Sequence, residues 1–189
     1  HLIRALTVGH RSMQTSGRNR SHQVAEVLNT KGMYSVVQHP LYLANILIWI
    51  GWTTLLCIPW LIVVATFVFV VYYLFIIYAE EQFLRGKFGQ DYERWHRRTP
   101  RLIPNPFLYT SSPNDFSWRI VFKNEYPGWT ASLSIALCIY SLLLNRLYPF
   151  LEHPDLYWKG WLVFGSGIAI FGLTFRYLKH RTKLFHEMD

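Results

Sequence analysis

The sequence predicts an all-α protein, a polytopic transmembrane helical bundle of about four spans arranged as two hairpins. Of its 189 residues, 51% are hydrophobic and only 16% are charged, whereas a soluble domain carries about 25% charged residues. Four long apolar runs occur in two pairs, and each is close to the roughly 20 residues that a helix needs to cross a bilayer. Helices satisfy their own backbone hydrogen bonds in lipid, whereas an open strand does not.

The first pair of apolar runs covers residues 41–58 and 60–79, and neither run contains a charged residue. Pro59 lies between them, at a turn where its missing N–H removes no helical hydrogen bond. These two runs therefore predict a helical hairpin through the bilayer.

The second pair covers residues 129–151 and 158–178. Arg146 interrupts the first of these runs near its end, where a long side chain reaches the headgroup region. We predict a second hairpin here, joined to the first by a long polar connection that begins at Glu80.

The distribution of Lys and Arg predicts an orientation. Residues 1–40 carry five of them, residues 84–127 carry eight and the tail after Gly172 carries four, whereas the hairpin turns carry almost none. By the positive-inside rule these three segments face the cytoplasm. We expect an integral membrane protein of the bacterial inner membrane or the endoplasmic reticulum, with its active site facing the cytoplasm. No nucleic-acid motif accompanies the net charge of +8, so we expect the membrane and not a nucleic acid as partner.

A His-Pro pair, His39 and Pro40, opens the first predicted span. Proline is common at the first position of a helix. An imidazole at this point lies beside unpaired backbone amides that favour anionic or hydroxyl-rich ligands. His39 is therefore either a ligand contact or a side chain at the level of the headgroups.

Two adjacent carboxylates, Glu80 and Glu81, stand at the end of the second predicted span. Acidic residues at a helix C-terminus oppose the helix dipole. Either the helix continues to about Phe88 with Arg85 pairing Glu81, or one carboxylate turns into a polar cavity and binds a ligand.

A basic, aromatic loop follows, and it contains four arginines: Arg94, Arg97, Arg98 and Arg101. These cations either form a collar that attracts anionic lipid or include one or two that grip an anionic headgroup with a bidentate fork. The eight histidines are scattered without the spacing of metal ligands, so we predict no metal site.

The order GMYSVVQHPLYLAN, a hydrophobic hairpin and then AEEQFLRGKFGQDYERWHRRTPRLIP resembles the isoprenylcysteine carboxyl methyltransferase and phospholipid methyltransferase group of membrane enzymes, over residues 15–105. The resemblance implies that S-adenosylmethionine binds at the cytoplasmic interface and that a lipidic acceptor enters from the bilayer. It also implies a methyltransferase core at residues 1–105, with a cofactor-binding loop region, and a connector with the second hairpin at residues 106–189.

Matching the motifs of this group residue by residue gives the cofactor-binding candidates Tyr34, His39, Pro40, Tyr42, Ala44, Glu80, Glu81 and Tyr92. The chain departs from the pattern at two positions. Gln38 stands where the group has arginine, and Ala44 stands where glycine is common. We expect Gln38 to form hydrogen bonds without supplying a charge.

The arginine-rich loop favours an anionic acceptor, a carboxylate or a phosphate, because such a group needs no general base before it is methylated. We therefore expect O-methylation, with Arg94 or Arg98 as the catalytic headgroup contact. Three alternatives stay open. They are N-methylation of an ethanolamine headgroup, an NADPH-dependent reductase resembling the membrane sterol reductases, and a scaffold without turnover, for which Gln38 is the only hint.

Overall fold

A computed structural model describes residues 1–10, 27–147 and 154–181 of the chain. The described residues form seven α-helices, one short 3-10 helix and no strand, which confirms the predicted all-α class. The helices are α1 (Leu2–Gly9), α2 (Met33–Val36), α3 (Pro40–Thr54), α4 (Pro59–Phe88), α5 (Gln90–Arg98), α6 (Trp118–Leu147) and α7 (Pro154–Arg181), with the 3-10 helix at Pro106–Leu108.

Three of these helices are long and apolar enough to cross a membrane, over Pro59–Phe88, Trp118–Leu144 and Lys159–Leu178. The first predicted span is shorter than expected, because α3 has 15 residues and rises by about 22 Å, less than the roughly 30 Å of hydrocarbon. Four spans is therefore an approximate count. Much of the apolar surface faces outwards, as lipid contact requires: Phe67 and Phe75 of α4 are 69% and 71% exposed.

Two helices are longer than their apolar runs. The second apolar run ends at Ala79, and α4 continues without a break to Phe88, as the first alternative for Glu80 and Glu81 predicted, so both glutamates lie inside a helix. The third was expected to begin at Trp129, but α6 begins at Trp118 and includes Pro127. Helix α4 adds nine residues after its apolar run and α6 adds eleven before its own, and hydropathy alone does not register these more polar stretches.

The helices pack as two hairpins joined by α1. Helix α3 packs on α4 and α6 packs on α7, while α1 packs on both α3 and α6. The end of α1 fits closely against the connector before α6, since a Cβ on Gly9 would lie 2.2 Å from the ring of Phe116. The backbone N–H of Ser117 donates to the Gly9 carbonyl at 2.9 Å.

A sharp turn at Gly89, with φ at +49°, separates α4 from α5. Glycine adopts this left-handed conformation without a steric cost. The turn folds α5 back against α4, and the buried faces of Tyr92 and Trp95 anchor it. The segment after α5 therefore crosses the polar end of α3 and α4.

Candidate active site

The His-Pro motif and the paired glutamates of the sequence meet at the polar end of α3 and α4. His39 precedes α3, and Glu81 lies in α4. The His39 Nε2 atom is 3.2 Å from Oε1 of Glu81, within hydrogen-bond distance. The His39 Nδ1 atom is 3.8 Å from Oε2 of Glu80, which is ion-pair distance but too long for a hydrogen bond. Both ring nitrogens of one buried imidazole therefore face carboxylates.

Arg101 completes this group. Its Nε and Nη2 atoms donate to the two carboxylate oxygens of Glu81 at 2.8 and 2.9 Å. Such a bidentate fork is the strongest common form of carboxylate recognition. The Glu81 side chain is 9% exposed and that of Arg101 is 43% exposed, so the pair has a buried acid and a half-exposed base. The continuation of α4 to Phe88 was anticipated, but Arg85 pairs with Glu93 and not with Glu81.

Burial decides the charge of the imidazole. The pKa of His39 is lowered, because removal from water penalises the charged form more than the hydrogen bond to Glu81 favours it. Nearby Arg101 and His96 lower it further. His39 is therefore a neutral side chain at pH 7 even though two carboxylates surround it.

Aromatic rings extend the site along α3. The rings of His39 and Tyr42 stack with centroids 5.9 Å apart, and Tyr42 lies 5.7 Å from Tyr73 of α4. Pro40 and Ala44 are buried on the same helix. Ala44 is 2% exposed, so the methyl group that replaces the common glycine fills packed space.

Tyr92 of α5 is fully buried beneath the site. Its hydroxyl lies 3.3 Å from Nδ1 of His96, and the Arg85 guanidinium lies 5.8 Å from its ring centroid. Burial and the nearby Glu81 raise the pKa of Tyr92 to about 12. The indole of Trp95 donates to the Tyr34 carbonyl at 3.0 Å, so Tyr34 is joined to α5 through its backbone.

The arginines predicted as headgroup contacts lie elsewhere. Arg94 pairs with Asp91 on the surface of α5, and both side chains are more than 70% exposed. Arg98 is also exposed. Arg101 is the arginine that the structure brings to the carboxylates, and the sequence analysis did not separate it from its neighbours. One sequence feature distinguishes Arg101 from the other three arginines: it follows Pro100 and so lies outside the helical run that carries them.

A second buried polar cluster links the two hairpins. Arg4 of α1 donates from Nε and Nη2 to the carboxylate of Glu125 at 2.6 and 2.9 Å, and from Nη1 to Asn45 at 2.5 Å. Asn45 lies on α3 three residues after Tyr42, so both side chains project from one face of that helix. No sequence pattern predicts this cluster, because Arg4, Asn45 and Glu125 lie far apart along the chain.

A comparison with known protein families gives a match in the segment that carries these motifs. Residues 13–91 match the phospholipid methyltransferase family. The match confirms the resemblance seen in the sequence and includes His39, Glu80 and Glu81. The matched family is one of enzymes that methylate phospholipids, and the long apolar helices of the chain are of the kind that cross a membrane.

The match covers less than half of the chain and ends before the arginines of the basic loop and before the second hairpin. No curated protein and no solved structure shows significant similarity to the chain. Among the described residues, no group of three His, Cys, Asp or Glu side chains could hold a metal ion.

Proposed function

We propose that this chain is a membrane-embedded methyltransferase that uses S-adenosylmethionine to O-methylate an anionic group, a carboxylate or a phosphate, of a lipid or a prenylated acceptor. One observation carries the proposal: His39 and Glu81, 42 residues apart, meet at 3.2 Å within the segment that matches the phospholipid methyltransferase family. We place the site at the cytoplasmic face, because the segments around it carry most of the lysines and arginines.

The charges at the site suit a cationic cofactor. Glu81 is neutralised by Arg101, and His39 is neutral because it is buried. Glu80 lies 3.8 Å from His39, and its side chain is 36% exposed. S-adenosylmethionine carries a net positive charge on its sulfonium and amino acid groups, so an accessible carboxylate beside a buried acid supports its binding here.

When bound, the cofactor supplies an electrophilic methyl group on a positive sulfur. The residues of the chain hold and shield it. Glu80 and Glu81 offer carboxylate oxygens, and the stacked rings of His39 and Tyr42 offer an apolar wall. Positioning and exclusion of water are the main means by which a protein accelerates such a displacement.

Arg101 supports an anionic acceptor better than Arg94 or Arg98 does. Its Nε and Nη2 atoms bind Glu81, while its half-exposed side chain keeps the Nη1 edge for a second anion. Arg94 is engaged with Asp91, and both Arg94 and Arg98 lie on the exposed side of α5. We therefore assign to Arg101 the headgroup role that the sequence analysis gave to those two residues.

N-methylation of an ethanolamine headgroup is the second candidate, and the neutral state of His39 is the observation that favours it. An ammonium must lose a proton before it can be methylated, and a neutral imidazole is able to accept one. The contact with Glu81 favours the imidazolium that results, and burial disfavours it.

The two candidates are separated by incubating the purified protein with cofactor labelled in its methyl group. Three acceptors are offered in separate vesicle preparations: an anionic lipid with a terminal phosphate, a prenylcysteine carboxylate and phosphatidylethanolamine. We expect label on the phosphate or carboxylate acceptor. Label on the amine lipid alone would contradict O-methylation and leave methyl transfer intact.

The reductase alternative is tested by titrating NADPH and S-adenosylmethionine into the same preparation. We expect heat from S-adenosylmethionine only. Binding of NADPH without binding of S-adenosylmethionine would overturn the assignment as a methyltransferase.

A further inference from the structure

We propose that Gln38 is a positioning residue that holds the segment after α5 in place, so that Arg101 reaches Glu81. The structural part of this inference depends only on hydrogen bonds within the chain. Its kinetic part rests on the proposed function of the site.

Gln38 makes three hydrogen bonds to one short segment. Its backbone N–H donates to the Pro100 carbonyl at 2.9 Å. Its side-chain Nε2 donates to the His96 carbonyl at 2.9 Å and also to the Thr99 carbonyl. The residue is 3% exposed, so these bonds form away from competing water.

The bonds fall where α5 ends. A helix leaves its last carbonyls without intrahelical partners, and Gln38 supplies donors to this end and to the residues that follow it. Asn105 adds a further tie, since its backbone N–H donates to the Val36 carbonyl at 3.0 Å. The segment 99–105 is thus fastened on both sides of Arg101, to the last residue of α2 and to the connector that follows it.

The amide of Gln38 works as a donor alone. Its Oε1 atom is buried and has no hydrogen-bond partner among the described residues, while Nε2 makes both side-chain bonds. A guanidinium is likewise only a donor. This shared property gives a physical reason why glutamine serves at a position where similar enzymes have arginine: the carbonyls of the segment require donors, and they do not require a charge.

The position of Arg101 controls the electrostatics of His39. The charged and titratable groups that face this imidazole are Glu80, Glu81, Arg101, His96 and Tyr42. If Arg101 moves away, Glu81 remains beside the imidazole without that guanidinium, and the protonated form of His39 becomes more favourable. Loss of the Gln38 donors should therefore shift the titration of His39 towards higher pH.

The test is a double-mutant cycle with Gln38→Met, which removes both donors at similar volume, and Arg101→Met. Gln90→Met serves as the matched control, because Gln90 is an exposed glutamine at the start of α5. We expect Gln38→Met to raise KM for the acceptor by about tenfold, as two lost hydrogen bonds imply, and to leave kcat less changed. We expect little further loss when Gln38→Met is added to Arg101→Met.

Two readouts need neither cofactor nor acceptor. In Gln38→Met we expect faster amide hydrogen exchange across residues 99–105 and a higher pKa of His39 by NMR, assigned with a His39→Asn variant. Gln38→Arg restores donors to the same carbonyls, and we expect it to return both readouts towards the wild type.

Independent losses in the cycle, or unchanged exchange and titration in Gln38→Met, would overturn the inference. Hydrogen exchange and the titration of His39 can both be measured without turnover. A wild-type protein that fails to bind S-adenosylmethionine would therefore contradict the proposed function, and these two measurements would still decide whether Gln38 positions Arg101.

Discussion

The buried ion pair between Arg4 and Glu125 allows a quantitative prediction about what joins the two hairpins. The side chain of Glu125 is 1% exposed and that of Arg4 is 23% exposed, and α1 is the element that packs on both hairpins. Replacing Glu125 by alanine leaves a guanidinium without its counter-ion in a poorly hydrated place. Breaking a buried pair from one side costs about 3 to 5 kcal/mol.

The matched control is the pair formed by Arg85 and Glu93, whose side chains are 44% and 37% exposed. Exposed pairs contribute about 0 to 1 kcal/mol. For a chain of this size 1 kcal/mol corresponds to about 2 to 4 °C in the midpoint of thermal unfolding. We therefore expect Glu125→Ala to lower Tm by roughly 10 °C in detergent and Glu93→Ala to lower it by no more than about 4 °C.

The assay is thermal unfolding followed by circular dichroism, with both variants in the same detergent as the wild type. Equal shifts for the two alanine variants would refute the reasoning that burial gives this pair its weight. A Glu125→Ala protein that unfolds like the wild type would also show that α1 does not hold the hairpins together through Arg4.

Three further predictions concern single residues. The pKa of His39 in the folded protein lies below its unfolded value of 6.5. Between these two pKa values the unfolded chain binds more protons than the folded one, so the free energy of unfolding should fall as pH drops through that window. His39→Asn should remove this part of the pH dependence of Tm. A Cβ at Gly172 would meet Thr130 at 3.0 Å, whereas one at Gly167 would meet nothing within 4 Å. Gly167→Ala should therefore raise the free energy of unfolding by up to about 1 kcal/mol, and Gly172→Ala should raise it less or lower it. Tyr92 keeps its proton up to a pKa of about 12, so Tyr92→Phe should leave the pH profile of activity near neutrality unchanged, and a shift of that profile would give the phenol a role in proton transfer.

The helices and the motif residues were accessible to sequence reasoning because their signals are local. Uncharged runs of about 20 residues identify spans, and Pro40 and Pro59 mark the first turns of α3 and α4, where the structure places both. The extent of α6 was not accessible in this way. It begins eleven residues before Trp129 in a polar stretch and passes through Pro127, a residue that usually ends a helix.

The partners of the charged residues could not be predicted, because they depend on tertiary packing. Arg101 and Glu81 are separated by a helix end and a sharp turn at Gly89, and the position of Arg101 after Pro100 is the one sequence feature that sets it apart from Arg94 and Arg98. The same holds for Arg4 and Glu125, which are 121 residues apart. Sequence pattern identified which residue types form the site, and the fold determined which members of each type meet.

The most direct test of the account is calorimetric titration of S-adenosylmethionine into Glu81→Gln, with Glu93→Gln as the matched control. Glu81 is buried and bound by His39 and Arg101, whereas Glu93 lies in an exposed pair. Because hydrogen bonds to a charged group are worth about 1.5 to 3 kcal/mol, we expect Glu81→Gln to weaken binding by roughly tenfold or more and Glu93→Gln to bind as the wild type does. Equal affinity in all three proteins would contradict the assignment of the cofactor to the site formed by His39 and Glu81.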